Sequence, residues 1–185
     1  MSLPRRALVA PPAGSTPSLL LDLAVNQAAW WWCVLAARAG LELVAVLAPL
    51  GYVVGRAVVT PERASATLRL AAFGAAFGAA GDQLLAWHGV LDFSASGTRG
   101  VFLAALWAMF AASLGFSSAF VTRLSPWQRA LAGALAGPLA YLGGERLGVL
   151  TMAPFATAWV ALEWAVGLVV LPFAAKHPEP EAHAP

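Results

Sequence analysis

The sequence predicts an all-α protein, a polytopic transmembrane bundle of six helices, and three observations support this fold class. Hydrophobic residues make up 60% of the 185-residue chain and charged residues only 11%, whereas a soluble domain carries about a quarter charged residues. Six stretches are apolar over roughly the 20 residues that a spanning helix needs. Lysine and arginine are also divided unequally between the two predicted sides of the membrane.

The composition excludes several other classes of protein. The net charge is only +2 and no basic patch is present, which argues against nucleic acid as a partner. Cys33 is the only cysteine, so no internal disulfide can form. The chain has no Walker loop, and we expect no nucleotide partner and no cofactor.

The predicted spans follow one another without a hydrophilic linker, so residues 19–175 form one transmembrane domain. Gly40 and its neighbours separate the first two spans, which predicts a tight helical hairpin. Residues 1–18 and 176–185 are rich in Pro with Ser, Gly or Glu and are predicted to be disordered tails. The six spans are Leu19–Ala39, Leu41–Val59, Ala66–Trp87, Gly100–Thr122, Trp127–Gly144 and Pro154–Ala175.

The basic residues predict the orientation of the bundle. With six spans, eight lysine and arginine residues fall on the side of the two tails and three on the other side. Cytoplasmic loops carry the excess of positive charge, so both termini are predicted to be cytoplasmic. Ten arginines against one lysine, with abundant Ala and Gly, suggest a bacterial source and hence the inner membrane.

Glycine pairs spaced by four residues predict close helix contacts, because lipid supplies little hydrophobic drive between helices. These pairs pack either within the bundle, which we favour, or as the seam of a homodimer. The deep tryptophans Trp107, Trp159 and Trp164 are read as bulky packing residues. The four pairs are Gly51/Gly55, Gly74/Gly78, Gly133/Gly137 and Gly144/Gly148.

Two short segments recur in the same order and suggest an internal repeat. Trp32–Gly40 is similar to Trp107–Gly115, and Pro49–Gly55 is similar to Pro138–Gly144. An odd number of spans in each copy would give two inverted three-helix repeats, as in many transporters. Coincidence in a chain rich in Ala, Leu and Gly is the alternative.

Ionisable groups inside a membrane cost about 2.5–3.5 kcal/mol on insertion scales, so they indicate a functional site by default. Asp82 and Glu163 lie within predicted helices, and several polar residues lie toward the non-cytoplasmic side, which predicts a polar vestibule there. Asp22, near the cytoplasmic end, is expected to be solvated. The alternative is that Asp82 pairs with Arg146 or Arg38 only to join helices. The predicted substrate-binding residues are Asn26, Asp82, His88, Tyr141, Glu145 and Arg146.

Other chemistry has little support in the sequence. His88 and Asp92 are four residues apart, but they match no known metal-ligand spacing, so no metal site is predicted. No nucleophile elbow is present, and Cys33 lies in an apolar stretch where a thiol stays protonated. We therefore predict no catalytic residues.

Three segments resemble a family of small bacterial inner-membrane proteins of unknown function. They are AGPLAYLGGERLGVL at Ala136–Leu150, GDQLLAWHGVLDF at Gly81–Phe93, and Asn26 with Gln27 and the Trp30–Cys33 run. Residues that match the family pattern are Asn26, Asp82, Pro138, Tyr141, Arg146 and Gly148. Ser117-Ser118 stands where the family pattern has an Asn-Ser-type pair.

The resemblance implies a role in lipid or envelope metabolism, because members are often encoded beside lipid-modifying methyltransferases. The favoured hypothesis is a small transporter or flippase-like protein that handles a lipid or other amphiphile, with membrane lipids as partners. A membrane-embedded enzyme or accessory subunit and a purely structural partner are the alternatives. A structural partner would be marked by a polar cluster that is fully paired and closed to water.

Overall fold

The computed structural model describes residues 16–174 and is almost entirely helical, so the predicted all-α class is confirmed. The tails predicted to be disordered lie outside the described residues, apart from 16–18, which open the first helix. The helices are α1 (Thr16–Arg38), α2 (Glu42–Ala45), α3 (Leu47–Val59), α4 (Ala64–Trp87), α5 (Val101–Ser113), α6 (Pro126–Arg146) and α7 (Ala156–Ala174).

The chain folds as three successive helical hairpins, and the first helix of each hairpin ends in the same way. Gly40, Gly89 and Gly148 follow α1, α4 and α6 with φ of 73°, 70° and 72°. The N–H of the residue after each glycine donates to a carbonyl five residues earlier, as Val90 does to Leu85 at 2.8 Å. This is the Schellman end of a helix, in which glycine adopts the left-handed conformation without a steric penalty.

The predicted second span is interrupted at Val46, between α2 and α3. Pro49 explains the break, because a proline has no N–H to donate and its ring collides with the carbonyl four residues earlier, here that of Ala45. The helix resumes at Leu47 and runs to Val59.

The predicted fourth span is too long at its C-terminal end, because α5 stops at Ser113 rather than at Thr122. The Ser113 hydroxyl donates to the carbonyl of Phe110 at 2.7 Å, and the Ser118 N–H returns to the carbonyl of Ser113. These bonds turn the chain through Leu114–Ser118 into a short 3₁₀ segment, Ala119–Arg123. Local polar contacts of serine compete with the helix here.

A layer of loops covers the end of the bundle where α4 and α6 finish. The strands β1 (Leu91–Asp92) and β2 (Thr151–Met152) pair antiparallel in this layer, with Asp92 opposite Thr151. Glu42 accepts hydrogen bonds from the N–H groups of Arg99 and Val101 and so satisfies free donors at the start of α5.

Two of the predicted glycine pairs pack inside the bundle, which confirms the favoured interpretation for them. A side chain at Gly74 or Gly78 would collide with α5 at Trp107 or Ala111. A side chain at Gly133 or Gly137 would collide with Trp164 of α7. Trp107 and Trp164 are therefore packing residues, as predicted, whereas Trp159 is 53% exposed.

The first helix of the α4–α5 hairpin and the first helix of the α6–α7 hairpin share the same spacing of glycines. The positions Gly74, Gly78, Asp82 and Gly89 recur 59 residues later as Gly133, Gly137, Tyr141 and Gly148. Equivalent residues also meet one another: Asp82 bonds to Tyr141, and Asp92 pairs with Thr151. A unit of two helices gives copies of the same orientation. The inverted three-helix repeat stays a prediction, distinct from this one.

Three helical segments are long and apolar enough to cross a membrane, namely Leu19–Arg38, Glu42–Val59 and Ala156–Ala174. α5 is apolar but shorter. α4 and α6 have 24 and 21 residues, but glycines and charged side chains make them less apolar. The count of six spans stays a prediction.

Candidate functional site

A polar cluster lies inside the bundle, where α4, α5, α6 and α7 meet. Asp82 and Tyr141 each stand five residues before the end of their helices, α4 and α6. This spacing corresponds to about 8 Å of helix. Trp107 and Glu163 lie a similar distance from the starts of α5 and α7. The four side chains are therefore at one depth, near the end covered by the loop layer.

Asp82 is the centre of the cluster and has no exposed surface. The Tyr141 hydroxyl donates to Oδ1 of Asp82, and the indole N–H of Trp107 donates to Oδ2 at 3.0 Å. Trp107 and Tyr141 are 2% and 4% exposed. One carboxyl group thus joins three helices of the bundle.

Glu163 supplies a second carboxyl group beside Asp82. Its carboxyl group lies against Gly81, where a Cβ atom would collide with Oε1. The two acidic groups interact electrostatically. Both oxygens of Glu163 are buried and have no hydrogen-bond partner within the described part of the chain. Such buried, unsatisfied groups are rare in native structures and require an explanation.

A small cavity of about 60 Å³ adjoins the cluster and is lined by Tyr141, Trp107 and Trp164 together with apolar residues of α1 and α5. Its volume exceeds the 10–15 Å³ or so that one water molecule needs. The indole nitrogen of Trp164 is buried and has no acceptor among the described residues. Two tryptophans and a tyrosine thus border a small, almost entirely apolar space beside the cluster.

The predicted ion pair of Asp82 with Arg146 or Arg38 is wrong. Over residues 16–174 the structure has one ion pair, between Arg56 and Asp22. Arg146 is exposed at the last position of α6. Asp82 is instead satisfied by hydroxyl and indole donors, which come from helices that the glycine contacts bring close.

The cluster is closed in this structure. A vestibule that reaches Asp82 from the loop side is not open, because the buried residues Leu91, Val149 and Leu150 belong to one core with Tyr141 and Val160. Water therefore does not reach the carboxyl group of Asp82 without a movement of the helices or of the loop layer.

The structure brings together only two of the six predicted site residues, Asp82 and Tyr141. His88 is exposed and stacks on Trp87 with ring centroids 6.0 Å apart. Glu145 accepts a hydrogen bond from the N–H of Met152 at 2.8 Å and so holds β2 in place. Asn26 lies near the middle of α1, and its side-chain nitrogen is buried without a partner among residues 16–174.

Asp22 was expected to be solvated, and this expectation is wrong, since it is only 7% exposed. Its carboxylate accepts a hydrogen bond from the Tyr52 hydroxyl at 3.0 Å and contacts Nη1 of Arg56 at 3.3 Å. The guanidinium of Arg56 also lies 3.4 Å from the ring centroid of Phe116. This second polar centre is at the end of the bundle opposite to Asp82.

Sequence reasoning placed Trp107 and Trp164 among packing residues and left Glu163 outside the site. The signal that links them to Asp82 was present in the sequence as the spacing of Gly74, Gly78 and Asp82, which matches Gly133, Gly137 and Tyr141. The cluster does not resemble a metal centre. Within residues 16–174, no group of three or more His, Cys, Asp or Glu side chains is placed to hold a metal ion.

The comparisons with known proteins identify a family and nothing closer. Residues 19–172 match the family model described as "Protein of unknown function (DUF2878)". No curated protein and no solved structure matches the chain. The matched range includes every helix of the bundle up to Pro172 and both polar centres. The chain is thus a member of DUF2878, a family of proteins of unknown function.

Proposed function

We propose that this protein is a small transporter or flippase-like membrane protein that handles a lipid or other amphiphile, with Asp82 and Glu163 as its working groups. The main support for this proposal is that both carboxyl oxygens of Glu163 are buried beside Asp82 and have no hydrogen-bond partner among the described residues. Ionisable groups inside a membrane commonly belong to substrate or proton pathways.

The incomplete pairing argues against a purely structural role. A cluster that only joins helices gains most when each buried polar group has a partner, because a half-satisfied network is less stable than an apolar core. The cluster is closed to water but leaves Glu163 and the Trp164 nitrogen unsatisfied. This pattern fits a resting state whose groups find partners in another conformation.

A proton is the simplest occupant of the pair. Two carboxylates side by side in a low-dielectric interior repel each other, and in the described chain no cation faces them. At least one carboxyl group therefore holds a proton while the site is closed. Opening toward water would release it, which couples the conformational change to the proton gradient.

The setting of this function is the bacterial inner membrane, with both termini cytoplasmic. The excess of basic residues at one end of the bundle supports the orientation. Arg56, Arg63, Arg69, Arg123 and Arg129 lie at that end among the described residues. The Asp82 cluster is then nearer the non-cytoplasmic face.

Lipid movement in vesicles tests the proposal. The purified protein is reconstituted with a trace of phosphatidylethanolamine labelled on its headgroup, and dithionite is added to bleach the outer leaflet. Protein-free vesicles keep the inner half of the signal, whereas the wild-type protein should let it decay. Asp82→Asn should slow this decay to the protein-free rate, and Asp92→Asn in the exposed loop is the matched control.

A decay with wild-type protein no faster than that of protein-free vesicles would contradict the proposed lipid movement. Full activity of a folded Asp82→Asn variant would remove Asp82 from the mechanism. Comparable size-exclusion profiles of the variants in detergent show that each is folded.

A further inference from the structure

An open groove runs between α1 and α3 on the outer surface of the bundle, from Trp32 toward the end that holds Asp22. It has a volume of about 730 Å³ and includes Trp32, Gly51, Tyr52 and Gly55 in its lining. This volume falls within the roughly 300–1,000 Å³ of ordinary ligand pockets. We call it the α1–α3 groove.

The floor of the α1–α3 groove is a glycine pair without a partner. Gly74/Gly78 and Gly133/Gly137 are filled by tryptophan-bearing helices, but a Cβ atom at Gly51 or Gly55 would meet no atom of residues 16–174 within 4 Å. The first hairpin thus keeps the close-contact spacing of the other two and lacks the side chain that fills it.

The length of the groove matches one leaflet of a bilayer. Ten residues of α1 separate Asp22 from Trp32, and both line the groove. Ten residues of helix span about 15 Å, at 1.5 Å per residue. The hydrocarbon core of a bilayer is about 30 Å thick, so the groove covers half of it.

The groove ends at a charged centre in which several polar atoms lack partners. Arg56 and Asp22 line its end, and the buried Nε atom of Arg56 has no acceptor within residues 16–174. The amide nitrogen of Asn26, one helical turn from Asp22, and the hydroxyl of Ser117 are also buried without partners in the described part of the chain. Ser117 is adjacent, since its backbone N–H donates to Asp22 at 3.3 Å.

We infer that the α1–α3 groove is a phospholipid-binding site, with one acyl chain along Gly51 and Gly55 and the headgroup phosphate at Arg56. An apolar trough one leaflet long takes the chain. The phosphate adds acceptor oxygens for the partly exposed guanidinium, beside the carboxylate of Asp22 that already pairs with it, in charge-assisted hydrogen bonds. This site binds lipid whether or not the protein moves lipid across the membrane.

A second copy of the chain is the competing occupant, and the charge at the groove end disfavours it. Packing two α3 helices through Gly51 and Gly55 would place apolar helix surface over Arg56. The guanidinium would then be covered without gaining an acceptor, which costs free energy. A phospholipid covers Gly51 and Gly55 with its acyl chain and pairs the guanidinium of Arg56 with its phosphate.

Native mass spectrometry of the full-length protein, released from detergent micelles, tests this site. The probes are 1-palmitoyl-2-oleoyl phosphatidylethanolamine and the diacylglycerol with the same chains. Gly51→Leu/Gly55→Leu fills the trough, and we expect the affinity for both probes to fall at least about tenfold. Val54→Leu/Val58→Leu, on the same helix and away from the groove, is the matched control and should bind both probes as the wild type does.

The charged end is tested by Asp22→Asn/Arg56→Gln. This double variant removes both charges, so that no unpaired charge is left. Its affinity for phosphatidylethanolamine should fall about tenfold, as expected for a lost charge-assisted hydrogen bond. Its affinity for the diacylglycerol should not change.

Three results would overturn the inference. The first is that Gly51→Leu/Gly55→Leu binds each probe as tightly as the wild type does. The second is that Val54→Leu/Val58→Leu loses as much affinity for the probes as Gly51→Leu/Gly55→Leu does. The third is a wild-type dimer that Gly51→Leu/Gly55→Leu converts to a monomer, which would assign the groove to a second copy. These are binding measurements, so they stand apart from the result of the lipid-movement assay.

Discussion

The rings of Trp107 and Trp164 contact each other, with centroids 4.4 Å apart and planes tilted by 36°, and each residue packs on the glycine pair of its own hairpin. They pack on equivalent glycine pairs of the two hairpins, but their indole nitrogens differ. Trp107 donates to Asp82, whereas the nitrogen of Trp164 has no acceptor. The position equivalent to Asp82 is Tyr141, whose hydroxyl is already bonded to Asp82.

This asymmetry predicts different costs for the same substitution in the two hairpins. Trp107→Phe loses ring volume and a hydrogen bond to a buried carboxyl group, whereas Trp164→Phe loses ring volume alone. We expect Trp107→Phe to lower the free energy of unfolding by about 1–3 kcal/mol more than Trp164→Phe. Unfolding in mixed micelles, followed by far-UV circular dichroism, measures the difference. Equal destabilisation would argue against the Trp107–Asp82 bond.

The glycine pairs predict a second difference in stability, between a substitution on the packed face of α4 and one on the open face of α3. Gly78→Leu would collide with the Trp107 ring and should destabilise by about 1–3 kcal/mol or more, the usual cost of overpacking. Gly51→Leu meets open space inside α3 and should leave stability unchanged or raise it by up to about 1 kcal/mol. The melting temperatures of the two variants in the same detergent check this. A large loss with Gly51→Leu would mean that another element covers the α3 face.

The repeated helix ends predict matched costs at equivalent glycines. Gly89→Ala and Gly148→Ala each place a Cβ atom at a φ near 70°, which costs about 1–2 kcal/mol. Gly143→Ala, inside α6 and 3.7 Å from the nearest atom of Trp30, should instead stabilise by up to about 1 kcal/mol. Denaturant unfolding of the three variants provides the test. A neutral Gly89→Ala would contradict the left-handed helix end.

Much of the fold could be predicted from the sequence, because hydrophobic length and glycine spacing act locally. The hairpin at Gly40 and the packing of Gly74/Gly78 are of this kind. The end of α5 was missed because the bonds of Ser113 depend on a turn that apolar patterning does not reveal. The partners of Asp82 were missed for a different reason. Electrostatic reasoning favours arginine, but the repeat places a tyrosine and a tryptophan there.

Asp92, in the exposed loop layer, gives a prediction for pH dependence. The backbone N–H and the hydroxyl of Ser94 donate to its carboxylate at 2.8 Å each, which lowers the pKa of Asp92 below its ordinary value. A carboxyl group with a lowered pKa stabilises the fold at pH values above its pKa in the unfolded chain. This stabilisation is lost as the pH falls through the pKa of the group in the folded chain. Ser94→Ala should therefore raise the pKa of Asp92 toward its usual value of about 3.9.

Titration of the Asp92 carboxyl carbon by NMR measures this pKa directly. Ser96→Ala is the control, because the Ser96 hydroxyl bonds to Phe93 and Thr98 and does not contact Asp92. An unchanged pKa in Ser94→Ala would mean that the Ser94 hydroxyl does not bond to Asp92 in solution.

The most direct measurement of the Asp82–Glu163 site is modification by dicyclohexylcarbodiimide, an apolar reagent that reacts with protonated carboxyl groups within membranes. Reconstituted wild-type protein is treated, and the same vesicles are assayed for lipid movement and for the modified residue by peptide mass spectrometry. We predict that an adduct forms on Glu163, whose oxygens are buried and unpartnered, and that lipid movement falls in proportion to it. An unmodified Glu163, or full modification with undiminished lipid movement, would contradict the assignment of this pair as the working site.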